Sequence, residues 1–335
     1  MDKLTILITG GAGYIGSHAV KLFLSRGYRV VVFDNLSRGW RQPLDILAPL
    51  GDLVFVRGDL TKTADLDQLF ANYNFAGVLH FAALCLVDES MSQPERYFYN
   101  NVVGSLNLLE QLRQHGCPPL IFSSTCAVYG ESQYLPIDEQ HPTNPTNPYG
   151  ESKLIVEKMI QWYGSQHQLP YVILRYFNVC GADSQGLIGD SKKPSQLLMQ
   201  NAVRGALNIE PFAYTCGQVA TPDGTPIRDY IDVEDLVAAH AAAYDYLVAA
   251  GSSQIINLGN GQGYSVKEIV SAVETNLHCQ LVKAQAPTRL GEYANVYANN
   301  SKAKQLLAWQ PNKSLDDSIA SLTRWYKKFP NGYQF

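Results

Sequence analysis

Tyr149 and Lys153 stand four positions apart, and a glycine-rich run lies far upstream of them at residues 9–16. Positions i and i+4 of a helix share one face, and Pro148 is well placed to begin such a helix. A free tyrosine has a pKa of about 10 and is a poor base near neutrality. A nearby ammonium and the positive ring of an oxidised nicotinamide would lower that pKa, so the pair is typical of proton transfer beside a hydride acceptor. The alternative is a chance Tyr–Lys spacing on a solvated helix.

The glycine-rich run reads TGGAGYIG and lies between a predicted buried strand and a predicted amphipathic helix. Gly10 and Gly13 would let the backbone turn tightly and approach a pyrophosphate, and Gly16 would let the helix pack closely on the strand. The phosphates would then meet the helix N-terminus, where unpaired N–H groups and the helix dipole favour negative charge. The run therefore predicts a dinucleotide site.

The second predicted strand, residues 29–33, is followed directly by the acidic residue Asp34 and by Asn35. A carboxylate there would accept hydrogen bonds from ribose hydroxyls and repel a 2′-phosphate, which favours NAD over NADP. Arg38 and Arg41 could serve a 2′-phosphate, but they come after the acid rather than replacing it. The alternative for Asp34 is a helix-capping loop residue.

Small hydroxyl side chains stand at the end of another predicted strand, residues 120–124. Thr125, directly after it, could hydrogen-bond a substrate hydroxyl as its proton leaves. The alternative is that these residues merely satisfy backbone groups at a strand end. Thr125, Tyr149 and Lys153 are the candidate catalytic residues.

Strand-like and helix-like runs alternate along the chain, which predicts an α/β fold: a Rossmann-like, doubly wound parallel sheet with its ligand at the carboxyl ends of the strands. After residue 178 the composition shifts to Gly, Asp, Ser, Lys and Pro, which indicates a smaller α/β substrate-binding lobe. We predict an NAD-binding domain at 1–178, to which 229–262 return, and a substrate lobe at 179–228 and 263–335. The predicted strands are 4–9, 29–33, 53–57, 78–81, 120–124, 171–176 and 254–258, and the predicted helices are 14–25, 64–73, 97–112 and 153–167.

The composition fits a single compact enzyme. A chain of 335 residues with 46% hydrophobic content can bury a large core, and the formal charge of −4 is small and unclustered, so nucleic acid is not an expected partner. The six cysteines contain no Cys-x-x-Cys pair, and the seven histidines are dispersed. We therefore expect free thiols in a reducing cytoplasm and no metal site. The first predicted strand leaves no room for a signal peptide, and no apolar run is long enough to cross a membrane.

On these motifs the chain resembles the UDP-glucose 4-epimerases of the extended short-chain dehydrogenase/reductase family along nearly its whole length. TGGAGYIGSH (9–18), GDL (58–60), HFAA (80–83) and the Tyr–Lys step mark only the broad family. DGTPIRDYIDVEDL (223–236) and NLGNGQGYSV (257–266) are much closer to the 4-epimerases. Further matching segments are FSSTCAVYG (122–130), NPYGESK (147–153) and LRYFN (174–178).

The resemblance implies NAD held throughout the catalytic cycle and a UDP-hexose as substrate, with UDP-glucose and UDP-galactose interconverted. Tyr149 would remove the proton of the sugar C4 hydroxyl while C4 gives its hydride to the nicotinamide. The 4-keto sugar would then turn over and take the hydride back on its other face. A homodimer is the family expectation.

Motifs and resemblance together predict the residues of the site. The predicted cofactor-binding residues are Gly10, Gly13, Tyr14, Ile15, Gly16, Asp34, Asn35, Asp59, Leu60, Phe81, Ala82, Ala83, Asn100, Ser123, Tyr149, Lys153 and Phe177. The predicted substrate-binding residues are Thr125, Asn178, Gln196, Leu197, Arg228, Arg289, Glu292 and Val296. The arginines would hold the diphosphate, where a planar guanidinium matches phosphate oxygens. The alternative for either arginine is a surface ion pair, which is worth little.

The chain departs from the family pattern at two points. Cys85 stands where many 4-epimerases have lysine, so a cofactor contact is missing or remade. Ser195-Gln196-Leu197 replaces an Asn-Asn-Leu run that contacts the substrate, and the preceding loop is shorter. The resemblance also implies a gate beside the sugar C2 substituent at Val296, with Tyr297 as the alternative if the register slips by one. Valine is smaller than tyrosine, so we expect N-acetylated UDP-hexosamines to be accepted as well.

Two rival functions share many of these features. A nucleotide-sugar dehydratase or decarboxylase would need an added acid or base directly after the threonine, and Cys126 and Ala127 stand there instead. A non-catalytic dinucleotide sensor would be expected to lose Tyr149 or Lys153, and both are present.

Overall fold

Seven parallel strands form the central sheet of the computed structural model. The structure describes residues 3–192, 195–214, 219–282, 284–285 and 293–334. The strands of this sheet are β1 (Thr5–Thr9), β2 (Arg29–Asp34), β3 (Leu53–Arg57), β4 (Gly77–His80), β5 (Leu120–Ser123), β6 (Tyr171–Tyr176) and β10 (Gln254–Leu258). Their order across the sheet is β10-β6-β5-β4-β1-β2-β3. The predicted doubly wound α/β fold is confirmed.

Both faces of this sheet are buried. In strand β2, Val30 and Val32 pack into one core cluster together with Ile6, whereas Val31 packs on the opposite face together with Leu7. Alternate residues of a strand point to opposite faces, so a nearly continuous apolar run is what a sheet covered on both sides requires. Valine also suits the pleated conformation because it is branched at Cβ.

Helices cover the two faces. The helices are α1 (Tyr14–Ser25), α2 (Arg41–Leu47), α3 (Thr63–Asn72), α4 (Val87–Ser92), α5 (Pro94–Tyr97), α6 (Gly104–Gln114), α7 (Pro148–His167), α8 (Leu198–Ala206), α9 (Val233–Val248), α10 (Val266–Leu277), α11 (Ser301–Leu307) and α12 (Leu315–Lys328). Helices α1 and α9 pack on one face of the sheet. Helices α3, α6 and α7 pack on the other.

A smaller sheet stands outside the central one. Its strands are β7 (Asn178–Cys180), β9 (Ile227–Asp232), β11 (Gly263–Ser265) and β13 (Asn295–Val296). A further two-stranded sheet joins β8 (Ala213–Tyr214) to β12 (Ala284–Gln285). Helices α8, α10 and α12 share a third core cluster that includes Met199, Ile269 and Trp325. The stretch 229–262 therefore contributes to two sheets: β9 lies in the small sheet, and β10 is an edge strand of the central sheet beside β6. The division into two lobes stays a prediction.

The predicted helices match the observed ones except at two points. The predicted helix at 97–112 is broken into α5, a wide π-helical turn at Phe98–Val103, and α6. Helix α7 begins at Pro148, as the proline suggested, rather than at 153. The Asn147 side chain caps it by accepting the Gly150 N–H at 2.8 Å, which satisfies one of the unpaired donors of the first turn.

Candidate active site

A cavity of about 410 Å³ lies at the carboxyl ends of the central strands. It is lined by twenty of the residues predicted from the sequence: Gly10, Gly13, Tyr14, Ile15, Gly16, Asp34, Asn35, Asp59, Leu60, Phe81, Ala82, Ala83, Asn100, Thr125, Tyr149, Lys153, Phe177, Asn178, Gln196 and Leu197. Parallel strands deliver their following loops to one edge of the sheet, so residues far apart in sequence meet there. The predicted catalytic residues and all predicted cofactor-binding residues except Ser123 thus share one cavity.

Five predicted residues are placed differently. Ser123, Arg228 and Val296 are not among the described residues that line the cavity. Arg289 and Glu292 lie outside the described residues. Their predicted roles are not decided by the geometry.

The glycine-rich turn is a close-packed cradle. Gly10 has a φ of +72°, a conformation that favours glycine, and a Cβ added there would lie 2.6 Å from the Ala82 backbone nitrogen. A Cβ at Gly16 would overlap the Gly10 carbonyl oxygen. Larger residues at these positions would push the turn away from the first turn of α1. The backbone shape therefore fits the approach of a pyrophosphate to the helix N-terminus.

Asp34 lies at the end of β2 and lines the cavity. Its carboxylate accepts the Ala12 N–H at 3.1 Å and the Leu36 N–H at 2.8 Å. Burial raises the pKa of Asp34 above its ordinary value, and these two hydrogen bonds oppose the rise. A carboxylate has about four acceptor sites, so acceptor capacity remains for ribose hydroxyls. Asp34 caps the loop at Leu36 and braces the glycine turn, but it does not cap a helix.

Asp59 and Asn35 form the next part of the cavity wall. The Asn35 amide donates to Asp59 Oδ2 at 3.0 Å, and the Thr61 N–H and hydroxyl donate to Oδ1 at 2.9 and 2.8 Å. Partial burial raises the pKa of Asp59, but the hydrogen bonds from Thr61 and Asn35 outweigh it and lower that pKa overall. The neighbouring Leu60 side chain is buried. This corner combines a fixed carboxylate with an apolar surface.

Tyr149 and Lys153 lie on one face of α7 and both line the cavity. The Tyr149 ring packs edge-on against Tyr97, with ring centroids 6.5 Å apart. The Lys153 ammonium donates to the Ser123 carbonyl at 2.8 Å and lies 4.7 Å from the ring centroid of Phe122. Ser123 therefore acts through its backbone, by holding Lys153. The expected Tyr–Lys face is confirmed.

The protein's own groups do not lower the pKa of Tyr149. Desolvation by burial raises it well above its ordinary value, whereas a hydrogen bond with Thr125 lowers it only in part. Burial also lowers the pKa of Lys153 to about 8. The expected lowering also depends on the positive ring of an oxidised nicotinamide, so it stays a prediction; within the protein, desolvation is the largest influence and raises the pKa.

Thr125 makes the backbone contact considered for it and a second contact to Tyr149. Its hydroxyl oxygen accepts the Ala127 N–H at 3.2 Å, which is the backbone-satisfying role, and the same hydroxyl is hydrogen-bonded to Tyr149. A hydroxyl can accept and donate at once. Thr125 is thus placed to link the tyrosine to a bound hydroxyl.

Arg228 and Val296 are register partners in the small sheet. The Arg228 guanidinium donates to the carbonyls of Ile227 and Tyr293, each at 2.9 Å. Val296 is buried in a cluster with Phe177, which itself lines the cavity. Val296 therefore lies behind the part of the cavity wall that Phe177 forms, and Arg228 lies beside Val296 in the small sheet.

Other cavity-lining residues were missed by the sequence reasoning. Tyr176 receives a hydrogen bond from the Ser123 hydroxyl at 2.9 Å, and burial raises its pKa to about 12. Asp190 and Lys192 line the cavity from the loop before α8. No motif or spacing marks these two residues, because an irregular loop has no periodicity that would show which side chains point inward.

Within the described part of the chain, no helix has both the length and the apolar character to cross a membrane. Over the same residues, no cluster of three or more His, Cys, Asp or Glu side chains is arranged to hold a metal ion.

The fold and site define a dinucleotide-dependent enzyme with a tyrosine–lysine pair at its centre. The chain belongs to the NAD dependent epimerase/dehydratase family, whose model matches residues 6–259. It is 42% identical over 98% of both chains to a UDP-glucose 4-epimerase from Halalkalibacterium halodurans. A solved UDP-glucose 4-epimerase from Bifidobacterium longum, in complex with NAD+ and UDP, is 36% identical with a TM-score of 0.92, over 98% of this chain and 100% of that one. The UDP-Glc/GlcNAc 4-epimerase from Campylobacter jejuni is 37% identical with a TM-score of 0.84, over 97% and 99%.

Proposed function

We propose that this protein is an NAD-dependent UDP-glucose/UDP-galactose 4-epimerase. The observation that carries the proposal is the meeting of Thr125, Tyr149 and Lys153 with the glycine-rich turn in a single cavity. Family membership and full-length similarity to UDP-glucose 4-epimerases support the same reaction. Proton transfer, cofactor binding and substrate binding can then occur in one place.

NAD is the proposed cofactor. The cradle at Gly10 and Gly16 fits a pyrophosphate, Asp34 offers acceptors to ribose hydroxyls, and the buried Leu60 side chain beside Asp59 offers an apolar surface to adenine. Lys153, fixed by the Ser123 carbonyl, retains donors for the second ribose. When bound, NAD supplies a group that accepts a hydride and returns it.

In the proposed mechanism the sugar C4 hydroxyl donates to Tyr149, and Thr125 holds that hydroxyl. Tyr149 accepts the proton as the C4–H bond breaks, and it returns the proton when the 4-keto group is reduced. Because burial raises the pKa of Tyr149, proton uptake by its phenolate is strongly favoured once that phenolate forms. Lys153 provides the positive charge that makes phenolate formation possible.

The substrate is proposed to be a UDP-hexose, held by Asn178, Gln196 and Leu197 at the cavity and by Arg228, Arg289 and Glu292 around it. We include N-acetylated UDP-hexosamines. Val296 supports this extension because it packs with Phe177 behind the cavity wall, where a tyrosine ring would need more space. Tyr297, one position along, is only half-buried.

A dehydratase is less well supported by the residues after Thr125. Burial raises the pKa of Cys126 to about 12, and Ala127 has no titratable group. Neither side chain is a carboxylate of the kind that elimination of water would need directly after the threonine. The residues after Thr125 therefore favour epimerisation over elimination.

A homodimer is proposed for the assembly. Tyr99, Leu106 and Trp162 are exposed apolar side chains on adjoining elements, the turn before α6, α6 itself and α7. Exposed apolar side chains on neighbouring helices are what a contact between two copies would cover. Trp162→Glu should convert the dimer to a monomer in sedimentation, and a monomeric wild type would contradict the proposal.

The lobe division given above and a cytoplasmic location complete the proposal. The five described cysteines are free thiols, which suits a reducing compartment. Cys216 lies outside the described residues.

The direct test is to incubate purified protein with UDP-glucose and no added NAD and to assay for UDP-galactose. We expect conversion, because hydride returns to the sugar and the cofactor is not consumed. A Tyr149→Phe preparation is the matched negative control. Absence of UDP-galactose from the wild-type reaction, with NAD present in the protein, would overturn the function.

A further inference from the structure

Lys192 places an ammonium inside the cavity from a loop that no motif marks. Its Nζ lies 3.4 Å from Cys85 Sγ, and both residues line the cavity. A thiol is a weak acceptor, so this contact satisfies the ammonium poorly compared with an anion. The pKa of Lys192 is raised above its ordinary value, chiefly through Cys85 and then through Asp190, so the group is a cation at neutral pH.

The other cations of the described cavity wall are already engaged. Arg38 pairs with Glu89, and Lys153 donates to the Ser123 carbonyl. Among the described residues, the Lys192 ammonium has the Cys85 thiol as its hydrogen-bonding partner. The proposed function requires this cavity to take up two nucleotide diphosphates. Among the described cations of the cavity wall, Lys192 is the one that makes no hydrogen bond to a carboxylate or carbonyl oxygen.

The Lys192 ammonium lies beside Cys85, which is one of the two points where the sequence departs from the family pattern. Cys85 stands where many 4-epimerases carry lysine, and the structure brings an ammonium to that point from a different segment of the chain. Asp190 assists, because its Oδ1 accepts the Lys192 backbone N–H at 3.4 Å. Its Oδ2 is buried and has no hydrogen-bond partner among the described residues, and burial raises the pKa of Asp190 although the Lys192 charge opposes the rise.

We propose that Lys192 is a diphosphate-binding residue of this cavity, whose ammonium leaves the Cys85 thiol and pairs with a phosphate of the bound nucleotide. The inference rests on the proposed function, since that function supplies two diphosphates, one in NAD and one in the UDP-sugar. An ammonium–phosphate hydrogen bond is charge-assisted and stronger than the thiol contact that it replaces.

The test measures binding rather than turnover. NAD affinity is determined by calorimetry on protein stripped of its dinucleotide, and UDP affinity on protein that retains it, for the wild type, Lys192→Met and Lys192→Arg, with Lys158→Met as a control at an exposed lysine on α7. Lys192→Met should weaken one ligand about tenfold or more, because a hydrogen bond to a charged group is lost. Lys192→Arg should bind nearly as well as the wild type, and Lys158→Met should be unchanged. Weaker NAD binding alone assigns Lys192 to the cofactor diphosphate, and weaker UDP binding alone assigns it to the substrate diphosphate.

A rescue variant separates charge from folding. Cys85→Lys combined with Lys192→Met returns an ammonium to the same point from the other side, and it should recover most of the lost affinity. The proposal is overturned if Lys192→Met binds both ligands like the wild type, or if Lys192→Arg is as weak as Lys192→Met. A wild type that binds NAD and UDP but does not epimerise would defeat the proposed function and leave this comparison valid.

Discussion

Lys153→Met should change how stability depends on pH, because the wild-type ammonium is buried at the centre of the site. Burial lowers the pKa of Lys153 to about 8 from its ordinary 10.5. Between about pH 8 and pH 10.5, Lys153 still carries its proton in the unfolded chain and has lost it in the folded protein. Stability rises with pH wherever the unfolded state binds more protons. The wild type should therefore gain stability as pH rises through this window, whereas the methionine variant has no such group.

The size of the effect follows from the two pKa values. Each pKa unit corresponds to about 1.4 kcal/mol, so the interval from 8 to 10.5 is worth about 3 kcal/mol over the whole window. About 2 kcal/mol of this should be present by roughly pH 9.5. Lys153 is 3% exposed, so solvent screening reduces the value little.

The assay is urea unfolding of both proteins, prepared without dinucleotide, from about pH 7 to about pH 9.5. The free energy of unfolding of the wild type minus that of Lys153→Met should increase with pH. Taking this difference cancels the titration of the groups that the two proteins share. Lys158→Met, on the exposed side of the same helix, should show no such trend against the wild type. A difference that stays constant across the range would refute the argument that burial depresses the Lys153 pKa.

Three further changes probe the chemistry of the site. Tyr149→Phe should lower kcat about a hundredfold to ten-thousandfold while NAD and UDP binding persist, because the change removes the proton acceptor and keeps the ring. The control Tyr97→Phe, which changes the ring packed against Tyr149, should keep most of the activity. Asp34→Ala should weaken NAD about tenfold to a hundredfold and relax discrimination against NADP, through loss of charge-assisted hydrogen bonds; recovery of NADP as the main dinucleotide from wild-type protein would contradict this. Val296→Tyr should abolish epimerisation of UDP-N-acetylglucosamine and spare UDP-glucose, and a wild type inactive on the N-acetylated sugar would refute the assignment of the gate.

Local features of the site could be predicted from the sequence. The turn at Gly10–Gly16 depends on backbone constraints that act over a few residues, so its glycines identify it without knowledge of the rest of the fold. The face shared by Tyr149 and Lys153 follows from helical periodicity alone. The central sheet was likewise predictable, since strands such as β2 are apolar throughout and alternate with amphipathic helices.

Features that depend on long-range packing could not be predicted. The pairing of β9 in the small sheet, rather than in the central sheet with β10, depends on contacts between distant segments. The raised pKa of Tyr149 depends on how completely the fold removes water from it. Lys192 meets Cys85 across more than a hundred residues of sequence, and only the course of the loop before α8 brings them together.

In the proposed mechanism, the hydride removed from C4 returns to the same carbon from the bound cofactor. UDP-glucose deuterated at C4 tests it most directly, with the UDP-galactose product analysed by mass spectrometry and NMR. Deuterium should stay at C4 of the product without added NAD, and none should be taken up there when unlabelled substrate reacts in D₂O. Loss of the label to water would contradict internal hydride return and, with it, the proposed mechanism.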